Sequence, residues 1–162
     1  MKRLIPLLAL ATLAACSPAT ESEPADAAAE AAAPASAAAP TQLGGVDLTQ
    51  PIMAQGAEPF WSVDIVDGVA TWRDIGSYTP DESGEVAPAR TGPAVPTATA
   101  DGVAYAITLA DGTALTLTLT AGPCPDLGEQ TRALNATLAW SGSTMTGCAD
   151  LQSAYDIQEA AG

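Results

Sequence analysis

From about Leu43 onward, apolar side chains recur at every second position, the period of half-buried β-strands. Trp61, Val63 and Ile65 alternate with Ser62 and Asp64, and Asp67-Gly68 follows as a turn signal. A two-residue type I′ turn there pairs Ile65 with Ala70 and Val63 with Trp72, so apolar meets apolar on one face. A second hairpin carries its apolar residues at odd positions on both strands: Val103, Tyr105, Ile107 and Leu109, then Leu115, Leu117 and Leu119. A two-residue turn would pair odd with even. A three-residue loop, Ala110-Asp111-Gly112, pairs odd with odd and places Gly112 in the left-handed position of a G1 bulge. A third hairpin joins 134–140 to 143–148 through Ser141-Gly142 and sets Leu138 opposite Met145. Thr116, Thr118 and Thr120 line the outer face of the central strand, which suits β-propensity without creating a sticky surface.

Residues 76–102 are rich in Gly, Pro, Ser and acidic residues. They read as a long loop, with one or two short strands near 95–99. The tail from Leu151 adds a short strand or helix near 154–157. About 110 residues are enough for one core, so a single all-β domain of antiparallel hairpins is expected over 43–162.

The residues before it have no such pattern. Of the 24 residues 17–40, twelve are Ala, four are Pro and four are acidic. Pro24 and Pro34 interrupt any helix, and no large apolar side chain is present to bury. A disordered tether is expected over 16–42. Its 24 Ala/Pro-rich residues would span roughly 25–30 Å as a coil and ~75 Å as polyproline II.

Ahead of the tether, Lys2 and Arg3 precede an apolar run at 4–13, too short to cross a bilayer as a mature helix. Leu13-Ala14-Ala15-Cys16 closes it. The string resembles the lipobox of bacterial lipoproteins. By that resemblance residues 1–15 are a signal peptide cut before Cys16, and Cys16 carries a diacylglyceryl thioether and an acylated amine. The alternative is a plain secretory peptide with an incidental thiol. Multiple acyl chains give stable anchoring. Ser17 after the cysteine resembles the sorting pattern for the outer membrane, so a lipid-anchored protein on its periplasmic face is expected.

Composition then excludes much chemistry. The chain has no histidine, which removes Ser-His and Cys-His nucleophiles and the commonest transition-metal ligand. Its only lysine, Lys2, leaves with the leader, so no Schiff-base or P-loop lysine remains. Residues 16–162 keep three arginines against nineteen acidic residues, a formal charge of −16. That balance repels nucleic acid and suits a basic partner or simple solubility. With Cys16 acylated, Cys124 and Cys148 form an even pair in an exported protein, and a disulfide between them is expected. Two thiols do not make a metal site. The acidic stretch Asp74, Asp81, Glu82 and Glu85 lacks EF-hand spacing. No metal and no cofactor are expected.

Gly56-Ala57-Glu58-Pro59-Phe60-Trp61, Cys124-Pro125-Asp126 and Gly147-Cys148-Ala149 resemble the opening, first-cysteine and closing strings of a family of uncharacterised bacterial envelope lipoproteins. Members of that family open with a Gly-Thr-Glu-Pro-Phe-Trp-like string. They occur beside META (heat-shock lipoprotein) and C-type lysozyme-inhibitor domains. The family's Met-Ser-Asp-like stretch after the first cysteine is missing here. The resemblance implies a small antiparallel β-barrel and brings no established activity.

Glu58, Phe60, Trp61, Arg73 and Arg132 are the candidate binding residues. Glu58 has a structural reading too, as an acceptor of backbone N–H bonds where the strand begins, and this is the favoured one, since it has no catalytic companion. For Phe60, Trp61, Trp72 and Trp140, core packing is favoured over an exposed aromatic platform. Together these features point to a non-catalytic binding or accessory domain tethered to the envelope membrane, taking a basic envelope protein or a small ligand. The alternative is an inhibitor of a basic lytic enzyme such as lysozyme, although no Ser-Gly-x-Lys-Tyr-like inhibitory loop is present.

Overall fold

The computed structural model describes residues 38–126, 128 and 130–159. The expected leader, Cys16 and the tether as far as residue 37 lie outside them. Two short strands come first, β1 (Gln42–Leu43) and β2 (Val46–Asp47). Eight longer strands follow: β3 (Ile52–Ala57), β4 (Phe60–Val66), β5 (Val69–Asp74), β6 (Arg90–Ala98), β7 (Gly102–Thr108), β8 (Ala114–Pro125), β9 (Thr131–Trp140) and β10 (Ser143–Leu151). A 3₁₀ turn at Ile75–Ser77 follows β5, and a helix, α1 (Gln152–Glu159), follows β10. Strands β3 to β10 pair in chain order, and β10 returns to β3, closing an eight-stranded antiparallel barrel. Closure leaves no free strand edge in that sheet.

All three hairpin registers follow from the alternation. Ile65 faces Ala70 and Val63 faces Trp72, with positive φ at both Asp67 (51°) and Gly68 (75°), as a type I′ turn requires. Tyr105 faces Leu117 and Ile107 faces Leu115 across the three-residue loop, where Gly112 has φ 84°. Leu138 faces Met145. The inner face is therefore continuous. Val63, Trp72, Val103, Leu117, Leu119, Leu134 and Leu138 are all fully buried. Each such side chain contributes about 1.5–3 kcal/mol by leaving water, and the barrel interior is a packed core.

Both ends are covered. At the end where β3 begins, the β1–β2 hairpin lays Val46, Leu43 and Leu48 onto the core. Ala39 packs there as well, so the last residues of the expected tether belong to the folded domain. At the other end, the rings of Trp72 and Trp140 lie 4.7 Å apart, and the Arg90 guanidinium stands 3.9 Å over Trp72. Arg90 is held in place by Asp74 at 2.8 Å and Asp111 at 3.4 Å.

The expected long loop at 76–102 is corrected. Its second half is β6, a full barrel strand of nine residues. Two features hide it in the sequence. The first is that its inward positions are Gly92 and Ala94, which carry no large apolar signal. At Gly92 any Cβ would meet Thr108 O at 2.0 Å, so the inner face has no room for one. The second is proline at two positions. Ala94 N–H donates to Gly68 O, so even-numbered N–H groups face β5, whose ladder ends at Pro93. Pro96 thus loses no bond there. Pro93 faces the other neighbour one residue before the β6–β7 ladder begins at Ala94. Among the described residues, no helix is long and apolar enough to cross a membrane.

Candidate functional site

With the interior filled, chemistry is left to the outer surface. Partnered residues in an antiparallel sheet share a face. The register therefore lays Cys148, Gln55, Ser62 and Arg73 in one row across the outside of β10, β3, β4 and β5. Met53 and Thr146 lie on the same outer face. Gln55 and Cys148 of this row, with Met53 and Thr146, floor a groove walled on both sides, whereas Arg73 does not line it. One wall is the turn after β5, with Ile75, Tyr78 and Thr79. The other is the end of β8, with Pro125 and Asp126. Between them runs a groove of about 750 Å³, also lined by Glu58 of the β3–β4 turn and Phe60 at the start of β4. The Glu58–Pro59 peptide bond in that turn is cis.

Each wall is fastened to the floor. Tyr78 Oη lies 2.6 Å from Ser62 Oγ, and Ser62, although on the outer face, is 1% exposed. On the opposite side the expected disulfide is present. Cys124 of β8 is joined to Cys148 of β10, two strands that both flank β9 and do not pair with each other in the barrel. A register shift in β8 between Ala121 and Cys124 turns the strand end onto β10.

Behind the second wall, Arg132 Nε donates to Asp126 Oδ2 at 2.5 Å and Nη1 donates to Ala154 O at 2.9 Å. The guanidinium also lies 3.8 Å over the Tyr155 ring of α1. Burial alone would raise the Asp126 pKa. The Arg132 hydrogen bond and charge, with the N–H groups of Gln130 and Gly128, outweigh it and hold the carboxyl below its usual range. Burial pushes the Tyr155 hydroxyl well above its usual range.

The groove brings together three of the five candidate residues. Glu58 and Phe60 are exposed on its rim, and Trp61 contributes to its wall from a buried position. Trp61 fits because its partner on β3 is Gly56, where a Cβ would come within 2.2 Å of the indole Nε1. That Nε1 is buried without a hydrogen-bond partner. Arg73 and Arg132 lie elsewhere. Arg73 Nη1 bonds Asp64 Oδ2 on the outer face, and Arg132 is the internal brace just described. Two expectations are corrected. Phe60 is 51% exposed rather than core, because it neighbours Trp61 on a strand whose faces alternate. Glu58 accepts no backbone N–H bond; among the described residues its carboxylate has no hydrogen-bond or ion-pair partner.

The residues missed from sequence are Met53, Gln55, Ile75, Tyr78 and Thr146. The usable signal was Ile75 and Tyr78, lone large side chains in an otherwise small and polar stretch. Chemically the groove offers apolar and aromatic contact with two carboxylates, Glu58 and Asp126, the second already paired with Arg132. Among the described residues no group of three or more potential metal ligands comes together. Comparison with family models, with curated proteins and with solved structures gives no match to this chain.

Proposed function

We propose that the chain is a lipid-anchored, non-catalytic binding or accessory domain of the bacterial cell envelope. Cys16 carries the anchor on the periplasmic face of the outer membrane, and the outer groove meets the ligand. The observation that supports a binding role is a convergence. Phe60, Ile75 and Tyr78, each about half exposed, line the same groove as Glu58. Large apolar side chains left wet together around a polar anchor are the composition of a recognition surface. The lipobox resemblance and the Ala/Pro tether support the anchoring half.

The experiment has two arms. In cells, Cys16→Ala moves the protein from the membrane to the soluble fraction, and the N-terminal peptide loses its acyl mass. A photo-crosslinking residue in place of Phe60 gives a discrete adduct that Tyr78→Ala abolishes, whereas the same residue in place of Val95, exposed on β6 and outside the groove lining, gives none. Unchanged fractionation defeats the anchor, and equal labelling at both positions defeats the groove.

A further inference from the structure

We infer that the groove takes a cationic side chain carried on an apolar stretch of a protein partner, an arginine or lysine beside aliphatic or aromatic neighbours. This rests on the groove being the binding site, and it names the occupant.

The charge bookkeeping of the groove is one-sided. Among the described residues no basic side chain lines it. The arginines of the described domain are each engaged by aspartates: Arg73 by Asp64, Arg90 by Asp74 and Asp111, Arg132 by Asp126. Asp126, at the groove edge, is thereby matched from within. Glu58 is not, so an incoming cation meets a carboxylate without displacing an internal partner. An incoming phosphate or carboxylate meets only like charge, in a chain whose net charge is already −14 with its leader.

The apolar part of the groove selects among cations. Phe60 and Tyr78 line the same groove as Glu58, and aromatic rings together with a carboxylate hold a guanidinium or ammonium group. Met53 and Ile75 offer surface to the methylene stem of such a side chain. A small free amine would satisfy Glu58 and leave the half-exposed Phe60, Ile75 and Tyr78 wet. An extended segment covers them, and a space of about 750 Å³ is the size of site that holds a short peptide stretch. The field of the acidic domain would speed its encounter with a basic partner.

Panning a phage library of random peptides on the full-length chain in detergent tests this without prior choice of ligand. Selected sequences carry Arg or Lys flanked by Leu, Ile, Phe or Trp. A synthetic copy of the best sequence loses affinity about tenfold on Glu58→Gln, and equally on replacing its own basic residue by Gln. Glu58→Asp keeps part of the affinity, Phe60→Ala weakens it, and added salt weakens it. Circular dichroism and disulfide mapping confirm that each variant is folded. If the selected peptides are neutral or acidic but still weakened by Phe60→Ala, the groove remains the site and the cationic occupant is wrong. Free arginine amide or spermidine binding as tightly as the peptide overturns the protein partner in favour of a small cation. Selected peptides indifferent to both Phe60→Ala and Tyr78→Ala, or no selection at all, remove the groove reading and this inference together.

Discussion

Tyr78 Oη lies 2.6 Å from Ser62 Oγ, and this hydrogen bond ties one wall of the groove to the outer face of β4. Its two ends are unequally placed. Ser62 is 1% exposed and Tyr78 is 49% exposed. Removing the tyrosine hydroxyl strands a buried serine, whereas removing the serine hydroxyl leaves a tyrosine that water can reach. Tyr78→Phe should therefore cost about 1–3 kcal/mol and Ser62→Ala about 1 kcal/mol or less. Urea unfolding of both variants checks the order; a larger loss for Ser62→Ala would refute it.

The other wall is held covalently. Replacing Cys124 and Cys148 by Ala should remove ~3 kcal/mol of stability, as the loss of a cross-link closing a loop of about 25 residues implies. The barrel itself should persist, because the ladders that close it run independently of the β8-to-β10 cross-link. Hydrogen exchange should rise at 124–132 and change little in β4, β5 and β7. Uniform loss of protection would show that the cross-link supports the whole fold.

Gly56→Ala tests the seat of Trp61. The new methyl would meet Trp61 Nε1 at 2.2 Å and Thr146 O at 2.5 Å, one side chain and one backbone atom that cannot both retreat. A loss of about 1–3 kcal/mol and a shifted tryptophan emission are expected. Val95→Ala, on the exposed face of β6, should stay within about 0.5 kcal/mol of the parent and serves as the control.

Acid should weaken the domain partly through Asp126. Its folded pKa lies below the unfolded value of 3.8, so its stabilisation is complete above that pH and is lost as pH falls through the folded value. Asp47, Asp81 and Asp111 are shifted the same way, by hydrogen bonds from the Thr49 side chain, the Ser83 side chain and the Thr113 backbone. Asp126→Asn should therefore make the stability-versus-pH curve shallower below pH 3.8 without flattening it. An acid limb identical to that of the parent would count against the Asp126–Arg132 pair as a contributor.

Where inner side chains were large, the sequence was enough. The odd-with-odd pairing of Tyr105 with Leu117 and the I′ turn at Asp67-Gly68 could be read directly, because a one-residue slip would expose every leucine. Strand β6 could not be read, since the signal on its inner face is Gly92 and Ala94. The groove was half legible. Glu58, Phe60 and Trp61 stand together in the chain, but the walls come from Tyr78 and Pro125, and their arrival depends on how two strand ends fold back over the barrel. Periodicity carries no information about that. Alternation does place Phe60 outward, since it adjoins the inward-facing Trp61.

The alternation has a consequence for how the protein can change. Met53, Gln55, Phe60 and Thr146 point away from a core made by Ile52, Ala54, Trp61 and Met145, their immediate neighbours in sequence. Substituting the first set alters the groove while leaving the second untouched, and exposed changes of this kind usually stay within about 0.5 kcal/mol. Recognition can therefore drift, or be engineered, residue by residue on an inherited barrel, with the disulfide and the Tyr78 latch preserving the groove's shape as its chemistry is rewritten.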